Sequence, residues 1–218
     1  VGGLSYINNQ FDQGVEHLNH LGVDYFISYT EEIESKAMDS EKLILLFSSE
    51  PFSVFKVNSS KVELIYQDIK IFSKASTQDG ILSSILRDTD IDNFFDKAYE
   101  SFDELDKKRV IEVSNGMNIV SSKKNDLQIT NLNISNNKIS FFTDSPGELH
   151  LIKVSYFPNW KITNGKGPFR TSPSFMSVIP DNKYVEITFE KTIVEKNSFY
   201  FSISVSYTHL TLPTKRIV

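Results

Sequence analysis

From Val110 onward the chain repeats its apolar side chains at every second residue, in pieces of strand length. RVIEV, LQITNLNIS, KISFFT, ELHLIKVSYF, SFMSVIP, KYVEITFE and FYFSIS are the successive strand candidates. Asn115-Gly116, Asn136-Asn137, Ser145-Pro146-Gly147, Asn164-Gly165 and Pro180-Asp181-Asn182 separate them. Successive side chains of a strand point to opposite faces, so this alternation gives each strand an apolar face that must be covered. Turn residues such as Gly, Asn, Asp and Pro release the chain between strands. A series of short strands with regular turns predicts an antiparallel β-sandwich, jelly-roll-like, over residues 116–204.

Residues 1–115 read differently. Phe11, Val15, Leu18 and Leu21 recur at helical spacing, and Gly22 is placed to end that helix. VDYFISY reads as a strand, and TEEIESKAM as a short helix capped by Thr30. Its acids lie in the first turn, where the helix dipole favours them. KLILLF and FSVFKV flank SSEP, the pattern of two strands joined by a turn. VELIYQDIKIF is strand-like without a clear period. Ile91, Phe94, Phe95, Ala98, Tyr99, Phe102 and Leu105 form one apolar stripe, which predicts a helix over Ile91 to Leu105. Thr89 and Asp92 would cap it. The fold class is therefore α+β: a mixed α/β part, then the antiparallel sandwich, with the boundary near Asn115.

The charge balance removes some functions. With 23 basic and 28 acidic residues, the net charge is −5. An acidic chain without a basic stripe argues against nucleic acid and against adhesion to anionic lipid. No Cys occurs, which excludes disulfides, thiolate catalysis and Cys-held zinc. The longest apolar run, Leu43 to Phe47, falls far short of the roughly 18 apolar residues that cross a bilayer. These residues are expected to form a soluble body.

The tail VSYTHLTLPT (Val205 to Thr214), followed by KRIV, resembles a translated sequencing adapter. Residues 205–218 are accordingly expected to be non-native, with the protein continuing beyond Ser204 in nature.

Two stretches resemble a known family. FDQGVEHLNHLGVDYFISYTEEIESKA (Phe11 to Ala37) and LIKVSYFPNWKITNGKGPFRTSPSFMSVIP (Leu151 to Pro180) are similar to segments of YfhO-like, 6-pyruvoyl-tetrahydropterin-synthase-related membrane proteins. The second is the more specific, through SYFPNW, the GPFR step and the SPSFM-to-VIP ending. NFFDKAYESFDELDKKRVIEV fits the pattern between them. The resemblance implies a multi-spanning parent of the C-type glycosyltransferase superfamily, with this chain as its C-terminal extracytoplasmic domain at the outer membrane face. Its partners would be the transmembrane part of the same parent chain and a glycan or lipid-linked sugar. In such enzymes the catalytic carboxylates lie on loops among the membrane helices, so no catalytic residue carries over. The alternative is a secreted carbohydrate-binding β-sandwich module.

Taken on their own chemistry, few residues suggest a site. Trp160, the only Trp, stands near Tyr156 and Asn159, where an aromatic face could stack on a sugar ring. Packed inside, the same residues would plug the core where Pro158 interrupts a strand. Arg170, near Lys161 and Lys166, offers a fork for a phosphate or carboxylate or a structural ion pair. Tyr156, Asn159, Trp160 and Arg170 are the candidate glycan contacts. His17 and His20 have the spacing of a metal pair on a helix, but no third ligand is near and His150 lies on a distant strand. Asp88, Asp90 and Asp92 begin like a calcium loop, yet Asn93 and Tyr99 stand where it needs Gly and Glu. Ser172 and Ser174 lack an activating neighbour. Glu31-Glu32 and Asp103-Glu104 read as solvated helix faces. The residues imply no catalytic site, no metal and no cofactor.

Overall fold

The structure is a computed structural model. It describes residues 11–66, 68–74, 108–114, 117–122 and 127–191, with 197, 198, 202, 203 and 205. The helix expected over Ile91 to Leu105, the Asp88–Asp92 cluster, Asp103-Glu104 and the turn at Asn115-Gly116 lie outside the described residues, as does the tail after Val205.

Helix α1 (Phe11–His20) stops at Gly22, whose φ of +63° suits a residue without a Cβ. Gly22 N donates to the Asn19 carbonyl and Val23 N to the Leu18 carbonyl, both at 2.9 Å. This is the Schellman pairing, and Leu18 and Val23 meet over it on one apolar cluster. Strand β1 (Tyr25–Ser28) follows, then α2 (Glu31–Met38). The Thr30 side chain accepts from Ile33 N at 3.4 Å and caps α2. Strands β2 (Leu43–Ser49) and β3 (Phe52–Val57) complete a three-stranded antiparallel front sheet in the order β1-β3-β2. Val15, Ala37, Leu43, Phe55 and Val57 are buried between its inner face and the two helices.

The strand-like stretch VELIYQDIKIF, which shows no clear period, holds two strands: β4 (Val62–Leu64) and β5 (Asp68–Lys74). Strand β6 (Lys108–Ser114) runs parallel to β5 from Asp68↔Lys108 to Lys74↔Ser114. After β7 (Ile129–Ile134) and β8 (Lys138–Thr143) come β9 (His150–Ser155), β10 (Trp160–Ile162), β11 (Gly165–Thr171), β12 (Phe175–Pro180) and β13 (Tyr184–Phe189). The central sheet has six strands in the order β4-β9-β12-β11-β6-β5. It takes strands from both sides of Asn115. The back sheet has four, in the order β10-β13-β8-β7.

The chain is thus β-rich, with several sheets. The last expected strand differs. Within FYFSIS the described Ser202 and Ile203 are helical, as are Asn197, Ser198 and Val205 nearby. The Ser202 hydroxyl donates to the Ser198 carbonyl four residues back, at 2.9 Å, a bond that helical backbone permits and an extended one does not.

Both faces of the central sheet are covered. On one, Val62, Ile152, Met176 and Val178 pack with Ile139, Phe141, Val185 and Ile187 of the back sheet. On the other, Ile111, Val113, Leu151, Phe169 and Phe175 form a second cluster with Ile65 and Leu149. Arg109 on β6 lies wholly buried on that second face, its Nη2 3.5 Å from Glu63 on β4. Four strand spacings of a flat sheet come to about 19 Å, more than the two side chains span. The central sheet therefore curls around this cluster. Lys153 reaches the same carboxylate at 2.9 Å.

Candidate functional site

The four sequence candidates part company in space. Strand β9 leaves the central sheet at Ser155, and Tyr156 N donates to the Ser174 carbonyl at 2.9 Å. This bond holds Tyr156 half-buried beside the intersheet core. The chain then turns through Pro158 and Asn159. Asn159 Nδ2 donates to the Glu190 carbonyl, and Glu190 N donates to the Asn159 carbonyl, both at 2.9 Å. Asn159 thereby clamps the turn to the end of β13.

Trp160 points inward from that clamp. It is 6% exposed and belongs to the core between the central and back sheets. Its ring meets Phe189 edge-on, with centroids 5.1 Å apart. A ring so enclosed has no face to offer a sugar, and its contacts are those of the core plug. The exposed aromatic of the corner is Phe157, at 53%.

Tyr156 and Arg170 come together. They line an open cavity of about 300 Å³ with Glu112, Met117 and the Gly167-Pro168 step. The volume is at the small end of the range that ligand pockets occupy. Arg170 gets there because β11 pairs antiparallel with β6 through Thr171↔Ile111. One step along each strand stand Arg170 and Glu112, on the face opposite Ile111. The register of β11 against β12 shifts between Lys166 and Phe169, a bulge that bends the backbone at the rim. Gly167 has φ +110°, and a Cβ there would lie 2.9 Å from the Ser177 carbonyl oxygen. Only glycine lets the two strands approach this closely. A guanidinium, a carboxylate and a phenol at one opening can hydrogen-bond a ligand's hydroxyls or pair with an anionic group.

Glu112 is absent from the residues singled out by sequence. Its signal is weak: period two in RVIEV sets it opposite Ile111 and Val113, but nothing local says that Arg170 will stand beside it.

The other candidates serve the framework. Ser172 is fully buried; its hydroxyl accepts from Val110 N and its N donates to the Val110 carbonyl, both at 2.9 Å. Glu32 pairs with Lys36 at 2.6 Å, and that hydrogen bond holds its carboxyl below the usual carboxylate range. His150 is buried between Thr143 Oγ1 at 2.7 Å and the Glu148 carbonyl at 2.8 Å. A carbonyl only accepts, so Nδ1 carries the proton and Nε2 accepts from Thr143. Burial pushes the His150 imidazolium pKa down. Among the described residues no group of three or more His, Asp or Glu could hold a metal ion. Among the same residues no helix is long and apolar enough to cross a membrane.

Protein-family models, curated proteins and solved structures give no match to this chain.

Proposed function

We propose that this chain is an extracytoplasmic domain of a multi-spanning, glycosyltransferase-like membrane protein, and that it binds a glycan or acceptor at the cavity between Tyr156 and Arg170. In this reading the central and back sheets are the two layers of a jelly-roll-like sandwich. The transmembrane part of the same parent does the bond-making, and this domain presents the acceptor to it. The observation that carries the binding role is the convergence of Tyr156, Arg170 and Glu112 on one cavity. Tyr156 and Arg170 both fall in the stretch Leu151 to Pro180 that resembles the YfhO-like family. An aromatic edge with a cation and a carboxylate suits a sugar, whose ring has an apolar face and a rim of hydroxyls.

Titration of the protein with bacterial cell-surface oligosaccharides, followed by NMR, tests the site. Arg170→Ala and Tyr156→Ala are each expected to weaken binding about tenfold, the loss of a charge-assisted hydrogen bond or a ring contact. Trp160→Ala is expected to lower stability first. Binding that survives both pocket variants overturns the site. A complete gene with no membrane-spanning segments upstream of Val1 overturns the membrane parent.

A further inference from the structure

The face of the front sheet that points away from α1 and α2 is apolar and open. Register sets Tyr25, Lys56 and Ile44 in one row across the three strands, and Ile27, Val54 and Phe47 in the next. Tyr29 and Phe52 continue the surface, with ring centroids 5.5 Å apart. Tyr25, Ile27, Tyr29, Ile44, Phe47 and Phe52 are 60, 60, 65, 55, 58 and 48% exposed. An antiparallel sheet with one solvated face alternates apolar with polar residues. Here both faces are apolar, and Lys56 is the one charge in these two rows.

We infer that this face is the interface of a two-fold dimer of the chain. On side chains of roughly 200 Å² each, those exposures amount to roughly 700 Å². That exceeds the largest apolar patch of an ordinary monomer and matches one partner's share of a stable interface. Stacked sheets are the usual cover for such a surface. A two-fold axis across the strands at Val54 lays β3 antiparallel over its copy. Lys56 of one protomer then meets Phe52 and the Glu50 turn of the other, which gives the single cation an aromatic face and a carboxylate. The inference does not depend on the glycan-binding reading.

Sedimentation of the full chain across the micromolar range tests it. A dimer fraction that rises with concentration is expected. Ile27→Thr with Phe47→Thr should weaken association at least about tenfold, as loss of central anchors does. Lys56→Glu should weaken it too, and adding Glu50→Lys should restore it, because only an interface that pairs these two positions is rescued by the swap. Circular dichroism confirms that each variant keeps its strands, and Lys56 is exposed, so that variant does not disturb the core. A monomer at every concentration overturns the inference, whether the face is then protected by the chain itself or binds phosphatidylglycerol vesicles. So does a dimer indifferent to all the variants.

Discussion

The front and back sheets each bury one face in the same way and treat the other in opposite ways. On the back sheet the inward positions are Ile139, Phe141, Val185 and Ile187, all fully buried. The outward positions beside them carry Lys138, Ser140, Glu186 and Thr188, paired across β8 and β13. Lys138 Nζ lies 2.9 Å from Glu186, and the Tyr184 hydroxyl donates to the same carboxylate at 2.7 Å. Those contacts raise the Lys138 pKa and lower that of Glu186. The front sheet has no such ladder, and its outward rows hold aromatic and branched side chains. The contrast teaches that inward burial comes from the fold of one chain, while the outward face records what lies beyond it. The outward back face mixes those polar pairs with one exposed ring pair, Phe142 and Tyr184 at 5.0 Å, whereas the outward front face is apolar almost throughout and calls for an apolar layer beyond it.

Truncation separates the two sheets most sharply. Phe141→Ala removes a wholly buried ring from the intersheet core and is expected to cost about 3–5 kcal/mol. Phe47→Ala, on the outward front face, should cost no more than about 0.5 kcal/mol in a dilute, monomeric sample. Urea unfolding of both variants checks this. Comparable losses would mean that the front face is already covered within one chain, and the contrast would collapse.

The joint between the front part and the central sheet gives a smaller effect. Gly22 closes α1 against β9. A Cβ at this position would lie 2.8 Å from Lys153 Cβ, and the φ of +63° disfavours any side chain. Lys61 Nζ donates to the Gly22 carbonyl, and Lys153 Nζ donates to that of Asn19 at 3.0 Å. Gly22→Ala is expected to cost about 1–3 kcal/mol. Hydrogen exchange should show protection falling in α1 and in β9 together. Loss confined to α1 and β1–β3 would show that the front part opens alone, and that two independent units are being compared.

How much of this was legible depended on the range of the signal. The helix ending at Gly22, the Thr30 cap and the strands from β7 to β9 rest on neighbours in sequence, and periodicity reports those directly. Strand β11 was hidden because Gly165, Gly167 and Pro168 break the alternation that marks a strand, yet the bulge after Lys166 lets them stay in the sheet. Strand β10 was hidden behind Pro158 and is only Trp160–Ile162 long. The break between β4 and β5 follows from the curl of the central sheet, which no local pattern encodes. At the candidate site, Tyr156 and Arg170 were visible as residue types. Their meeting with Glu112 depends on a pairing between strands over fifty residues apart.

The smallest expected effect concerns the bond that joins the back sheet to the central one, from Thr143 on β8 to His150 on β9. In the neutral ring Nδ1–H donates to the Glu148 carbonyl and Nε2 accepts from Thr143. Protonation would place a charge on a ring buried beside Phe141, and that burial is what pushes its pKa down. The folded chain therefore binds a proton on His150 less readily than the unfolded chain, whose His titrates near about 6.5. The stabilisation is full above that pH and is lost as pH falls towards the depressed folded-state value, by on the order of 1 kcal/mol. Asp144, held below its usual range by the Ser145 hydroxyl, stays charged across this window and does not mask the effect. Melting temperatures between roughly pH 5 and 7.5 should slope down on the acid side. His150→Gln should start lower and run flatter over the same interval. An unchanged slope would place the acid sensitivity at another group.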